Sequence, residues 1–220
     1  MKDWFDSATL VEDATVEVGF LLFPDFYYGP DRHPDVVERK EVEPLRMPAF
    51  ARSAERLATS IEAEPHVEEL IRYYADVVRL GRKHGMSFNQ FRQYFWLRLG
   101  IFNRDRSFHV GFPWYDALGE MEGLLTALSK PPASGEVHWD RDQCWELEVD
   151  AHDDMLYVRE WDPDYEEVHA IGKLPLLALA SSSQATLIRA RRIIAALSEA
   201  LTEDVWTTYK ASATFSRLSL

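Results

Sequence analysis

Cys144 and His138 are the thiol and imidazole that stand nearest one another in this sequence. Such a pair is a nucleophile when the imidazole stabilises the thiolate. They fall on either side of a turn, but a lone cysteine beside Trp145 in a strand-like segment is ordinarily a small packing residue, and no catalytic role is assigned to it. Asp140, Asp142 and Cys144, and likewise His152, Asp153 and Asp154, are rich in metal-ligating types. Neither group has the spacing or glycine of a calcium loop, and neither pairs two histidines or two cysteines as zinc sites do. Turn chemistry accounts for these carboxylates, so neither a metal nor another cofactor is expected. His33 and His109 have no evident partner. The nucleophile-elbow, phosphate-loop and dinucleotide-binding glycine patterns do not occur. With 10 glycines in 220 residues, little is left for a phosphate cradle.

Charge is distributed more tellingly. Between Glu146 and Glu167 stand ten carboxylates (Glu146, Glu148, Asp150, Asp153, Asp154, Glu160, Asp162, Asp164, Glu166 and Glu167) against one Lys or Arg, Arg159. Between Arg72 and Arg106 the balance reverses, with eight cations against Asp76 and Asp105. A concentrated negative field steers a basic partner, and Trp139, Trp145, Tyr157 and Trp161 in the same stretch are the aromatic anchors that interfaces favour. A solvated strand face that keeps the protein soluble is the competing explanation.

The elements that must carry these residues change character along the chain. Residues 1–47 combine a strand over 15–23 with an irregular loop holding Pro24, Gly29, Pro30, Pro34 and Pro44. Its cluster Phe26, Tyr27 and Tyr28 is either packed back on the core or part of a lid. Residues 48–130 predict four amphipathic helices. The first carries Phe50, Ala54, Leu57, Ala58 and Ile61. The second carries Val67, Leu70, Ile71, Tyr74 and Val78, and is stopped by Gly81 and Gly85. The third is capped by Ser87 and Gln90 and bears Phe91, Phe95 and Leu99; the fourth runs from Trp114 through Leu128. Residues 135–174 switch to a period of two, predicting an antiparallel meander with strands around Val137, Trp145 to Val149, Met155 to Trp161 and Val168 to Ile171. A long helix over 182–203, capped by the serines at 181 to 183, follows; the stretch from Trp206 reads as a strand or a docked tail. The expected class is therefore α+β, a helical first half packed with a C-terminal antiparallel β-meander and a closing helix, in a single domain.

Composition bounds the function further. Hydrophobic residues at 46% and charged residues at 28% are ordinary globular usage. One cysteine cannot form an internal disulfide, the start of the sequence has no signal-peptide charge pattern, and no apolar run is long enough to span a bilayer, which together predict a cytoplasmic protein without membrane insertion. A net charge of -13 opposes nucleic-acid binding. The oligomeric state is left open by the sequence.

The stretch from about 135 to 202 resembles the immunity proteins of bacterial polymorphic toxin systems. The likeness rests on the Trp139 turn, the hairpin of Cys144 to Val149 with Met155 to Trp161, and the closing helix. Such proteins are small, often acidic, cytosolic and non-enzymatic, and they occlude a toxin's active site. The resemblance implies a cognate toxin as partner. Joined to the charge layout, the leading expectation is a binding protein for a basic, cytosol-acting toxin such as a nuclease, with Glu146, Glu148, Asp150, Glu160, Asp162 and Asp164 mimicking a polyanionic substrate. The alternative is an enzyme whose dispersed pocket, near Phe26 to Tyr28, uses Arg92, Arg98, Arg104 and Arg106 with His109 on a small anionic substrate.

Overall fold

A computed structural model describes residues 2–29, 41–112 and 114–215. Pro30, His33 and Pro34 lie outside these described residues. The chain opens on strands β1 (Thr9–Leu10) and β2 (Thr15–Leu21), the short hairpin β3 (Asp25–Tyr27) and β4 (Val42–Pro44), and β5 (Leu57–Thr59). Helices α1 (Ser60–Ala63), α2 (Val67–Lys83) and α3 (Phe88–Phe91) follow, then β6 (Leu97–Phe102), β7 (His109–Phe112) and α4 (Leu118–Ser129). Next come β8 (Gly135–Asp142), β9 (Trp145–His152), β10 (Met155–Asp162), β11 (Glu167–Pro175) and α5 (Leu176–Leu201).

The architecture is α+β, but the expected helical first half is wrong: β1 to β7 lie there, with α2 as its one long helix among the described residues. Two segments with helical spacing are responsible. Leu57 and Ala58 pair in β5 with Leu21 and Phe20, leaving Ser60–Ala63 as the helical remnant behind a Thr59 and Glu62 capping box. The Ser87 and Gln90 capping box does form, yet its helix ends at Phe91; a 3-10 turn takes Arg92–Phe95, and Leu99 pairs with Phe112 in β6 and β7. A strand buried on both faces carries apolar residues at every position, so periodicity cannot tell it from a helix.

The chain divides into two compact units. One comprises Met1–Val18, Leu99–Trp114 and Met121–Ile188. Its main feature is a mixed five-stranded sheet in the order β1-β11-β10-β9-β8, with β1 parallel to β11 and the other neighbours antiparallel. Leu147, Val149, Ala151, Leu156 and Val158 line one face and are almost wholly buried. Successive residues alternate sides, so Glu146, Glu148, Asp150, Tyr157, Arg159 and Trp161 share the other face. Asp153 and Asp154, both in the left-handed region (φ 49° and 61°), make the two-residue turn between β9 and β10. In the same unit the expected helix start is displaced: α5 begins at Leu176, and its Ser182 and Thr186 are spent on the backbone of Val16 rather than on a cap.

The other unit comprises Gly19–Arg98, Tyr115–Glu120 and Arg189–Leu220. α2 runs through Gly81 and ends beside Gly85, whose φ of 63° suits a residue without Cβ. Gly81 serves packing instead: a Cβ there would lie 2.6 Å from the Phe91 ring. Aromatic residues fill this unit, with Trp206 fully buried and edge-on to Tyr74 and Phe95. The stretch from Trp206 is thus docked and forms no strand among the described residues. Phe26 is likewise fully buried and stacks on Tyr94, while Tyr28 stacks on His84 at 3.7 Å, so this cluster packs inward.

Candidate functional site

The six carboxylates singled out by charge do not share one surface. Glu146, Glu148 and Asp150 project from β9 to one face of the five-stranded sheet, but all three are buried. Glu148 accepts from Arg159 Nε at 3.0 Å and from Arg159 Nη2, and Lys2 Nζ lies 2.7 Å from Glu148 and 2.7 Å from Asp150. Glu146 accepts from the Trp139 indole at 3.0 Å, with Arg141 at 3.7 Å. Burial acts to raise the Glu148 carboxyl, but the hydrogen bonds and charges of Lys2 and Arg159 outweigh it and hold the group below the ordinary glutamate range. Burial acts to lower Lys2, and its two carboxylate partners outweigh that and raise it.

Glu160 points to the opposite, apolar face, where it accepts from the Trp145 indole at 2.8 Å. Asp162 is buried and shapes the turn after β10, accepting from the backbone N–H groups of Asp164 and Tyr165. Asp164 alone of the six is well exposed. It accepts from the Cys144 thiol at 3.4 Å, and that contact, ahead of slight burial and the neighbouring carboxylates, raises the thiol's pKa. A thiol held protonated beside carboxylates is a poor nucleophile. Cys144, Asp162 and Asp164 bring their ligand atoms within 4.8 Å of one another, a grouping the sequence did not suggest because the two turns are far apart in the chain.

What does face solvent is the end of the sheet where the β8–β9 and β10–β11 turns lie side by side. Asp142, Asp164, Glu166 and Glu167 are exposed there, and Tyr165 is 78% exposed; Trp139, 51% exposed, lies farther back on β8 opposite Glu148. The sequence signal for this end was the turn residues themselves, which read only as connectors. Lys2 was missed entirely, since nothing in its neighbourhood marks it as a partner for β9.

No family model, curated protein or solved structure matches this chain. No described helix is long and apolar enough to cross a membrane.

The arginines of the alternative reading have varied surroundings. Arg92 stacks over Tyr209 and Arg98 pairs with Asp116 in one unit. In the other, Arg106 lies over Phe102 and, with His109 and His169, lines a cleft of about 910 Å³ whose wall also carries Glu12 and Asp13. The Phe26 to Tyr28 cluster does not line that cleft.

Proposed function

We propose that this chain is a non-enzymatic binding protein that acts in the cytoplasm on one basic protein partner, a cognate bacterial toxin, as an immunity protein does. One observation carries the reading: the exposed carboxylates of Asp142, Asp164 and Glu166 and the exposed ring of Tyr165 stand on the two turns at one end of the five-stranded sheet. Solvated acids raise the encounter rate with a cationic cleft, and large exposed aromatics supply the desolvated centre that affinity requires. Of the carboxylates first singled out, Asp164 belongs to this surface, exposed and with Arg141 3.9 Å away, while Glu146, Glu148 and Asp150 are buried against cations of their own chain.

The test is association with the purified product of the adjacent gene, followed by stopped flow at two salt concentrations. Replacing Asp142, Asp164 and Glu166 together by lysine is expected to slow association by about tenfold or more and to flatten its salt dependence. An unaltered rate, or an adjacent gene whose product does not bind, overturns the reading. A second reading, an enzyme acting on a small anion, is favoured only by Arg106, His109 and His169 around their cleft.

A further inference from the structure

Residues 2–7 lie across the acidic face of the five-stranded sheet as a strap. We propose that this face, formed by Glu148, Asp150, Tyr157 and Trp161, is a docking surface for a segment of the partner that combines lysine with aromatic residues, and that Lys2, Trp4 and Phe5 occupy it as an internal stand-in. This rests on reading the chain as a partner-binding protein, and it adds a second contact, on a different part of the sheet from the exposed turns.

The strap shows what chemistry the face accepts. Lys2 bridges Glu148 and Asp150 at 2.7 Å each. Phe5 stacks on Tyr157 with ring centres 4.0 Å apart, and Trp4 meets the same ring edge-on at 6.3 Å. Arg159 has its guanidinium 5.1 Å from the Trp4 ring and 4.4 Å from the Trp161 ring. A cation flanked by aromatic residues is therefore what these carboxylates and rings hold.

Three further observations favour exchange over permanence. The strap's own backbone bonds close within it, Phe5 N–H to Lys2 C=O and Ala8 N–H to Phe5 C=O at 3.1 Å each, and no described backbone bond ties it to the sheet before β1. Side chains alone hold it, so it can lift as one piece about Ala8. An open hollow of about 650 Å³ adjoins Lys2, Trp4, Glu148 and Arg159, so part of this face is reached from solvent with the strap in place. The buried indole nitrogens of Trp4 and Trp161 have no acceptor, so the present occupant leaves two donors unsatisfied.

Two measurements decide the matter without any toxin. In the full chain, amide hydrogens of Phe5 and Ala8 are expected to exchange at least about a hundredfold faster than those of Leu147 and Val158; equal protection makes the strap a permanent part of the fold and ends the proposal. A capped peptide with the sequence of Lys2 to Ala8 is then titrated into the full chain and into the Lys2→Ala, Phe5→Ala double variant, followed by the Trp161 indole resonance. Binding at least about tenfold tighter to the variant is expected, lost when Glu148→Gln and Asp150→Asn are added. Equal affinity for both proteins, or affinity that survives loss of the carboxylates, overturns the proposal. Should the double variant not fold, the exchange measurement decides alone. Peptide binding without toxin binding would remove the immunity reading and leave the docking face standing.

Discussion

The Trp145 indole donates to Glu160 across 2.8 Å on the apolar side of the five-stranded sheet, so a residue that counts as surface charge in the sequence fastens β9 to β10 from within. Removing the acceptor leaves the N–H of a buried indole without a partner. Glu160→Ala is expected to lower unfolding free energy by about 1–2 kcal/mol in urea titration, and Glu160→Gln, which keeps an acceptor, by clearly less. Equal losses for the two would show that the bond contributes nothing.

Stability toward acid depends on Glu148. Its pKa in the folded chain lies below the unfolded value near 4.5, so its contribution is complete above that value and disappears as pH falls through the lowered one. Lys2 is shifted upward from 10.5, and its contribution is present below that value and is lost as pH rises through the raised one. Thermal midpoints are expected to fall at both limits. Glu148→Gln is expected to flatten the acid limb in part, with a residual slope from Glu62, which its bonds to Thr59 and Ser53 hold low against the upward pull of burial. An acid limb of unchanged steepness in that variant contradicts the assignment.

Gly81→Ala pits two effects against each other. Alanine favours a helix over glycine by about 0.8–1 kcal/mol. The new Cβ, however, would sit 2.6 Å from a Phe91 ring that is itself 3% exposed and hemmed in by Phe26, Phe88 and Phe95. Overpacking of that kind costs about 1–3 kcal/mol, so net destabilisation of roughly 1 kcal/mol is expected in denaturant melts. A stabilised variant would mean that the ring moves aside freely.

Cys144 is exposed, yet its thiol is expected to alkylate slowly. The Asp164 carboxylate accepts a hydrogen bond from the thiol and raises its pKa, which reduces the thiolate at neutral pH. Asp164→Asn is expected to speed reaction with iodoacetamide at pH 8 by a few-fold and to lower the midpoint of the rate against pH. A rate indifferent to that substitution would separate the two groups.

The meander was legible because its pairs are local: period-two alternation from Val137 onward and the Asp153–Asp154 turn suffice to place β8, β9 and β10. α2 was legible for the same reason, each contact of its apolar stripe recurring within a turn. β5 and β6 were not, since Leu57 and Leu99 have helical neighbours in sequence and strand neighbours in space, and tertiary pairing overrides local propensity. The acidic face failed differently. Its alternation was read correctly and its exposure was not, because the cation that buries it, Lys2, lies 146 positions away from Glu148. Charge counts along a chain register neighbours and are blind to such a partner.

The parallel placing of β1 beside β11 also sets an order of events during synthesis. Thr9 and Leu10 leave the ribosome early and wait for Gly172 and Lys173 before they have anything to pair with. The three hairpin-linked strands β8 to β10 can zip together meanwhile, on the microsecond scale typical of local pairing, whereas closing so long a loop is slow. A nascent chain that has made β8 to β10 but not β11 therefore already holds Glu148 against Arg159, while Thr9 and Leu10 still lack the strand they lie beside.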